Sequence, residues 1–254
     1  MARRLTRRSL LRGAGLAAPA LLLTGCDWLG ASPSFRDLVL GSGEWLSYRA
    51  HRLIGSEALA REFDPSELSP RFRTNGNVRP RSEEWERHAA AGFADWRLSV
   101  DGLVEAPRSW SLAELRTMPA RTQITRHDCV EGWSAIGKWT GTPFADLLGA
   151  VRLRPEARFV VLRCADDFGG VGYYESIDLV DAFHPQTILA WGMNDAALPV
   201  GHGAPVRLRV ERQLGYKHAK FVMRVEAVAS LGGIGKGKGG FWEDVAGYDW
   251  YAGI

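Results

Sequence analysis

Apolar residues recur at every second position in well-separated stretches of this chain, and that period constrains the fold more than any other feature. Trp96, Leu98 and Val100 alternate with Arg97, Ser99 and Asp101, and Asp101-Gly102 then turns the chain. A period of two places alternate side chains on opposite faces of a strand. Phe221 to Ala229 repeats the pattern, with Phe221, Met223, Val225 and Ala227 on one face, and Phe159 to Leu162 and Val206 to Val210 also read as strands. Helical signals are fewer and shorter. Ser82 caps a run with Glu83 and Glu84 in its first turn, Arg87 and His88 near its end and Gly92 beyond it, which predicts a short helix. Ser111 and Glu114 form a capping box ahead of Leu112 and Leu115. Thr142-Pro143 starts another helix through Leu147 and Leu148, with proline at its favoured first position. Many strands with few short helices make the class α+β, with mixed, largely antiparallel sheets.

The first 25 residues stand apart. They carry Arg3, Arg4, Arg7, Arg8 and Arg12 with no acid, then an apolar run from Gly13 to Leu23. This is a targeting segment and takes no part in the fold. Arg7-Arg8 in Thr6-Arg-Arg-Ser-Leu-Leu11 matches a twin-arginine signal, and Leu23-Thr-Gly-Cys26 matches a lipobox, in which Cys26 becomes the lipidated first residue; Asp27 then favours retention at the inner membrane. The apolar run is about half the ~20 residues needed to cross a bilayer, so lipid is the expected anchor, on the periplasmic side of the inner membrane. Without the signal, 27 basic residues face 29 acidic ones, which gives no footprint for nucleic acid. The expected organisation is a signal over 1–25, a tether and N-terminal arm over 26–65, one domain over 66–231, and a Gly-rich loop with an aromatic tail over 232–254. Gly232 to Gly240 reads as mobile, and Phe241-Trp242 and Tyr248 to Ile254 supply aromatic surface to dock the end. Gly232-x4-Gly237-Lys238 imitates a phosphate loop, yet lacks the Ser or Thr after lysine and the chain needed for a βα core.

Two constellations carry chemistry. Arg126-His-Asp-Cys129-Val-Glu-Gly-Trp133 places a cysteine after an extended polar segment and before a Trp/Gly turn. A lone cysteine is most often a small core residue, but Arg126, His127, Asp128 and Glu131 are too polar for a core strand. Arg126 and His127 are expected to favour the thiolate, the form that ligates metal. Zinc would want three or four ligands at short recurring spacings, and no CxxC, HExxH or CxxCH occurs. Cys129 and Cys164 could also pair in an oxidising compartment. The second constellation is His202-Gly-Ala-Pro-Val-Arg207 followed by Gly215-Tyr-Lys217-His218-Ala219-Lys220. Its glycines admit close backbone approach, and Arg207, His218 and Lys220 supply donors for a phosphate or a pterin edge. The bland alternative is a solvated strand end. His51, His88 and His184 have no partners at ligand spacing and read as surface or capping groups.

With Phe72-Arg-Thr-Asn75-Gly76, and with Trp139-Thr-Gly141-Thr-Pro143 behind Cys129, these motifs resemble the molybdopterin-binding oxidoreductases of the sulfite oxidase fold over about Arg71 to Ala229. Within that family the chain is similar to the periplasmic methionine sulfoxide reductase catalytic subunits. The resemblance implies a Mo-molybdopterin cofactor of one molybdenum and one pterin, with Cys129 as metal ligand. It also implies pterin-holding roles for Asn75, Gly76, Cys164, His202, Arg207, His218, Ala219 and Lys220. The family has Thr where Cys164 stands and Asn where His202 stands. A cofactor inserted in the cytoplasm explains a signal that exports folded proteins.

The expected activity is oxygen-atom transfer at sulfur, with Cys129 and Arg207 at the reacting centre. The expected substrate is a small sulfoxide or a protein methionine sulfoxide, with electrons from a membrane haem subunit. A sulfite-type dehydrogenase passing electrons to a cytochrome is the alternative within the fold. A cofactor-free binding lipoprotein and, more remotely, a zinc hydrolase are the alternatives outside it.

Overall fold

A computed structural model describes residues 31–35, 39, 41–55 and 57–254. The twin-arginine pair, the lipobox and Cys26 lie outside the described residues. The chain divides into a unit up to Arg52 and a compact unit from Leu53 to Ile254. Helix α1 (Gly41–Gly55) lies in the stretch assigned to the N-terminal arm. In the first unit Arg49 lies over the Trp45 ring and Arg52 over Tyr48. Among the described residues, no helix is long and apolar enough to cross a membrane.

The second unit is α+β, built on two five-stranded sheets. Its elements are α2 (Glu83–Ala90), β1 (Arg97–Gly102), β2 (Arg108–Ser111), α3 (Leu112–Thr117), β3 (Arg121–Asp128), β4 (Ser134–Pro143), α4 (Phe144–Val151), β5 (Phe159–Phe168), β6 (Val171–Asp178), α5 (Leu179–Ala182), β7 (Ile188–Met193), β8 (Ala196–Ala197), β9 (Arg207–Arg209), β10 (Val222–Val228) and α6 (Phe241–Ala246). One sheet runs β2-β1-β10-β5-β6; the other runs β3-β4-β7-β8, with β9 also on β7. Among the described residues only β1 and β10 pair in parallel, so the expectation of largely antiparallel sheet holds.

Local chemistry explains most boundaries. The Ser82 and Ser111 side chains accept from the Trp85 and Glu114 amides, and the Ser111–Glu114 capping box closes as expected. Pro143 departs by one place: it ends β4 and caps α4 rather than opening the helix. Helix α4 packs on β1 of one sheet and β4 of the other, and there it buries Phe144, Leu147, Leu148 and Val151 completely. Each such side chain contributes about 1.5–3 kcal/mol through lost water contact. In β10 a register shift between Val222 and Arg224 buries Val222 as well as Val225, an irregularity that period-two reasoning does not foresee.

Strand β3 corrects the reading of His127 as too polar for the interior, whereas Arg126, Asp128 and Glu131 stay out of it. Gln123, Thr125 and His127 are all buried. A charged pair in the core receives them: Arg209 grips Glu211 through Nε and Nη2 (2.8 and 2.5 Å) and donates to His127 Nδ1 at 2.9 Å, while Gln123 Nε2 donates to Glu211 at 2.9 Å. Buried polar groups persist where each finds a partner. His184 is likewise buried rather than superficial, with its Nδ1 accepting from the Gln186 amide.

The Gly-rich segment, read from composition as mobile, is tied down. The Lys236 and Lys238 amides donate to the Asp244 carboxylate at 2.8 and 3.2 Å, and the Ser176 hydroxyl donates to the Gly239 carbonyl.

Candidate active site

Cys129 begins the loop that joins β3 to β4. Its amide donates to the Trp133 carbonyl at 2.9 Å, its carbonyl accepts from Gly132 at 3.0 Å, and Gly132 turns the chain at φ 83°. This is the polar-strand, cysteine, Trp/Gly-turn order read from the sequence. Cys129 is 7% exposed and lines a cavity that opens to solvent. Around it the cavity is lined by Asn75, Gly76 and Asn77, by Val130 and Glu131, by Asp166, Phe168 and Tyr173, by Gly215, Tyr216, His218 and Lys220, and by Trp242 and Tyr248.

Burial pushes the Cys129 thiol up, with the Glu131 backbone opposing. The expectation that Arg126 and His127 favour its thiolate is therefore corrected. Arg126 is held by Asp128 at 2.9 Å, and burial followed by Arg209 keeps the His127 ring well below the ordinary histidine range, hence neutral. Burial thus favours the protonated form of the Cys129 thiol. Cys129 and Cys164 are both free.

Of the residues expected to hold a cofactor, Asn75, Gly76, His218 and Lys220 join Cys129 on the cavity lining. Lys220 Nζ donates to the carbonyls of Asn75 (2.6 Å), Asn77 (2.5 Å) and Gly201 (3.0 Å), so all three ammonium protons are committed to holding those loops. Burial, then Arg207, pulls its pKa down to about 7. His218 accommodates the Gln213 carbonyl with Nε2 at 3.0 Å. A carbonyl only accepts, so Nε2 carries the proton and Nδ1 of the neutral ring is an acceptor. Burial, then Arg209, holds that ring well below the ordinary histidine pKa.

The other four lie behind the lining. Arg207 is fully buried; it donates to the carbonyls of His202 (3.1 Å) and His218 (3.2 Å) and rests 5.1 Å from the Trp139 ring centroid. It fastens the two halves of the second constellation together, and burial beside Arg209 draws its pKa down to about 9. His202 stands edge-on to Phe72, with burial, then Arg207, lowering its pKa to about 4. Ala219 is a core residue whose carbonyl accepts from Leu208 at 2.8 Å. Cys164 faces β10 opposite Val222, and burial, then Asp166 and Glu175, pushes its thiol well up.

The arrangement fits a polar, many-ringed cofactor. His218 Nδ1 and Asp166 Oδ1 on the lining, and Arg207 Nε, His202 Nδ1 and His127 Nε2 behind it, are buried without a hydrogen-bond partner among the described residues. Such groups are rare unless something else satisfies them. A Cβ on Gly215 would come within 2.5 Å of His127 Nε2 and 3.2 Å of the Asp128 carbonyl, so glycine is what lets the second constellation close on the Cys129 loop. No three His, Cys, Asp or Glu residues converge on a metal position among the described residues. Cys129 is the cysteine on this lining.

Sequence reasoning passed over Asn77, Asp166, Phe168, Tyr173 and the cavity role of Trp242 and Tyr248. Asn77 and Asp166 stand two residues from Asn75 and Cys164, so adjacency could have found them. The aromatics carry no such local signal.

Comparison with known proteins agrees with this geometry. Residues 86–230 match the family described as the oxidoreductase molybdopterin binding domain. A protein of Azospira oryzae that carries the name "Putative protein-methionine-sulfoxide reductase subunit YedZ1" is 40% identical over 198 residues, covering 75% of this chain and 70% of that one. The protein-methionine-sulfoxide reductase catalytic subunit of Ralstonia nicotianae is 37% identical over 144 residues, 52% of this chain and 44% of its own. The sulfane dehydrogenase SoxCD of Paracoccus pantotrophus shares the fold, with TM-score 0.50 and 21% identity over 69% of this chain and 46% of its own. The chain thus spans under half the length of the latter two proteins.

Proposed function

Because this chain belongs to the family of oxidoreductases with a molybdopterin binding domain, we propose that it reduces a neutral sulfoxide, using one molybdenum held by one pterin and by Cys129. In the balanced reaction a sulfoxide takes two electrons and two protons, the S–O bond breaks, and a sulfide and water leave. When bound, the cofactor supplies a centre that cycles between two oxidation levels and exchanges an oxygen atom. The chain's own residues bind and orient. Asn75, Gly76 and His218 would hold the pterin from the lining; Lys220 and Arg207 would shape that lining through the carbonyls they fasten, and Cys164, His202 and Ala219 would support it from behind. Glu131, whose carboxylate accepts from Trp133 Nε1 at 3.0 Å, stands two residues from Cys129 on the same lining.

The charge of the cavity carries the choice of substrate. Its lining holds two acids, Glu131 and Asp166, and one lysine whose protons are all engaged. Arg126 is paired with Asp128, and Arg207 is buried behind the lining. A sulfite-type dehydrogenase would need cations facing its dianion, and among the described residues this lining offers no free one. A neutral sulfoxide meets no such penalty.

We assign the catalytic domain to 66–231 with the tail 232–254 packed on it, and a periplasmic site on the inner membrane, anchored through lipidated Cys26 after twin-arginine export. A membrane haem subunit would deliver the electrons.

The test begins with metal content. The purified wild type should hold near one molybdenum per chain. Cys129→Ser should lose the metal and all sulfoxide turnover while keeping its far-ultraviolet circular dichroism. Metal and activity retained in Cys129→Ser would overturn the assignment, and a wild type without molybdenum would favour the cofactor-free lipoprotein.

A further inference from the structure

The aromatic end of the chain closes one side of the candidate site. Helix α6 and the residues after it lie beyond the 86–230 region matched to the family, yet Trp242 and Tyr248 line the cavity that holds Cys129. They belong to a continuous aromatic surface. Trp242 meets Phe168 at 5.1 Å and stacks on Tyr248 at 6.0 Å, 25° between planes; Tyr248 meets Tyr216 at 5.0 Å.

This surface is rigidly mounted. Phe241 is buried against Phe168 and Tyr173. Glu243, also buried, takes a hydrogen bond from Lys217 at 2.8 Å. The Tyr216 hydroxyl donates to the Asp249 carbonyl at 2.6 Å, and Leu214 donates to Ala252 at 2.9 Å. Neighbours on either side are thus fixed, while Trp242 and Tyr248 remain half-buried at the cavity. A wall of this make-up presents π faces, which favour polarisable sulfur and the electron-poor hydrogens on carbons beside it.

We propose that Trp242 and Tyr248 determine substrate selectivity, receiving the apolar substituent on the sulfur of a methionine-like sulfoxide. This rests on the sulfoxide reading above and adds the residues that choose among sulfoxides. The substrate's methyl and methylene groups lie against the rings, so a substrate with little alkyl surface gains less from the wall than one with a side chain.

The experiment compares N-acetylmethionine sulfoxide amide with dimethyl sulfoxide on the molybdenum-loaded enzyme, in wild type, Trp242→Ala, Trp242→Phe and Tyr248→Ala. The alanine variants should lose at least tenfold in kcat/KM for the amide, mostly through KM, and less for dimethyl sulfoxide. The selectivity ratio should then fall at least fivefold and return in Trp242→Phe. Equal losses on both substrates, or no loss, would overturn the proposal. Calorimetric binding of the unreactive N-acetylmethionine sulfone amide separates the two readings. Binding weakened in Trp242→Ala without turnover in the wild type would support the wall and sink sulfoxide reduction. Turnover with an unchanged selectivity ratio would do the reverse.

Discussion

On one side of the cavity, Lys220 and Arg207 make five contacts with backbone carbonyls, those of Asn75, Asn77, Gly201, His202 and His218. On the other, Trp242 and Tyr248 contribute ring faces, and the ionic group that mounts them sits one layer deeper. There Lys217 Nζ touches Glu175 at 2.5 Å and Glu243 at 2.8 Å with all three side chains sealed from water. The first side uses buried cations to define the shape of a polar pocket. The second uses a buried cation to hold an apolar surface in place. In both, the charges that sequence reading would assign to ligand binding are engaged within the protein, and the cavity itself is left to backbone, acids and aromatic rings.

The largest effect is expected where the second side is mounted. Burial raises Glu175 well above the usual carboxylate range, while the two carboxylates outweigh burial and raise Lys217. The cluster is therefore a charged lysine between two acids, of which Glu175 is disposed to keep its proton. Replacing Lys217 by Met leaves both acids buried and should cost about 3–5 kcal/mol, read as a lower urea midpoint. Loss of Trp242-dependent selectivity in the remaining folded protein would tie the mount to the wall. A change under 1 kcal/mol would show that the tail is held by its backbone contacts alone.

Gly215→Ala probes the first side. The new methyl meets His127, itself held by Arg209, and overpacking of this kind typically costs about 1–3 kcal/mol. Pterin content should fall with it, measured by fluorescence of the released, oxidised pterin. Full pterin content at wild-type stability would mean that the close approach of Gly215 to the Cys129 loop is dispensable.

The smallest effect is a pH dependence confined to the first side. His202, at about 4, and His218, lower than usual, are neutral in the fold and take up protons on unfolding. For a depressed histidine the unfolded state binds more protons between the folded and unfolded pKa values. Stability contributed by neutrality is then full above about 6.5 and declines as pH falls towards 4. Urea midpoints should drop across that window, and His218→Gln should flatten the slope. A midpoint that stays level from pH 7 to 4.5 would contradict the burial of these rings as neutral groups.

Legibility in the sequence followed the range of the interactions involved. The capping serines, the strand at Leu98 and Val100 and the turn after Cys129 depend on neighbours within a few residues, and those could be read directly. The polar strand could not. His127 read as too polar for the core because the Arg209–Glu211 pair that receives it lies more than 80 residues away. Lys220 and Arg207 were read as donors for a phosphate or a pterin edge, but what they grip is decided by loops at Asn75 and His202 that close only in three dimensions.

The sequence by itself determined the α+β class, the family motifs and the position of Cys129 at a hairpin loop, because periodicity, caps and short motifs are local. Only the tertiary structure decided which side chains face the cavity and which are consumed in holding it. It brought Trp242 and Tyr248 from the far end of the chain to within one cavity of Cys129, since burying Phe241 and pairing Glu243 with Lys217 fix the tail where no local signal could place it.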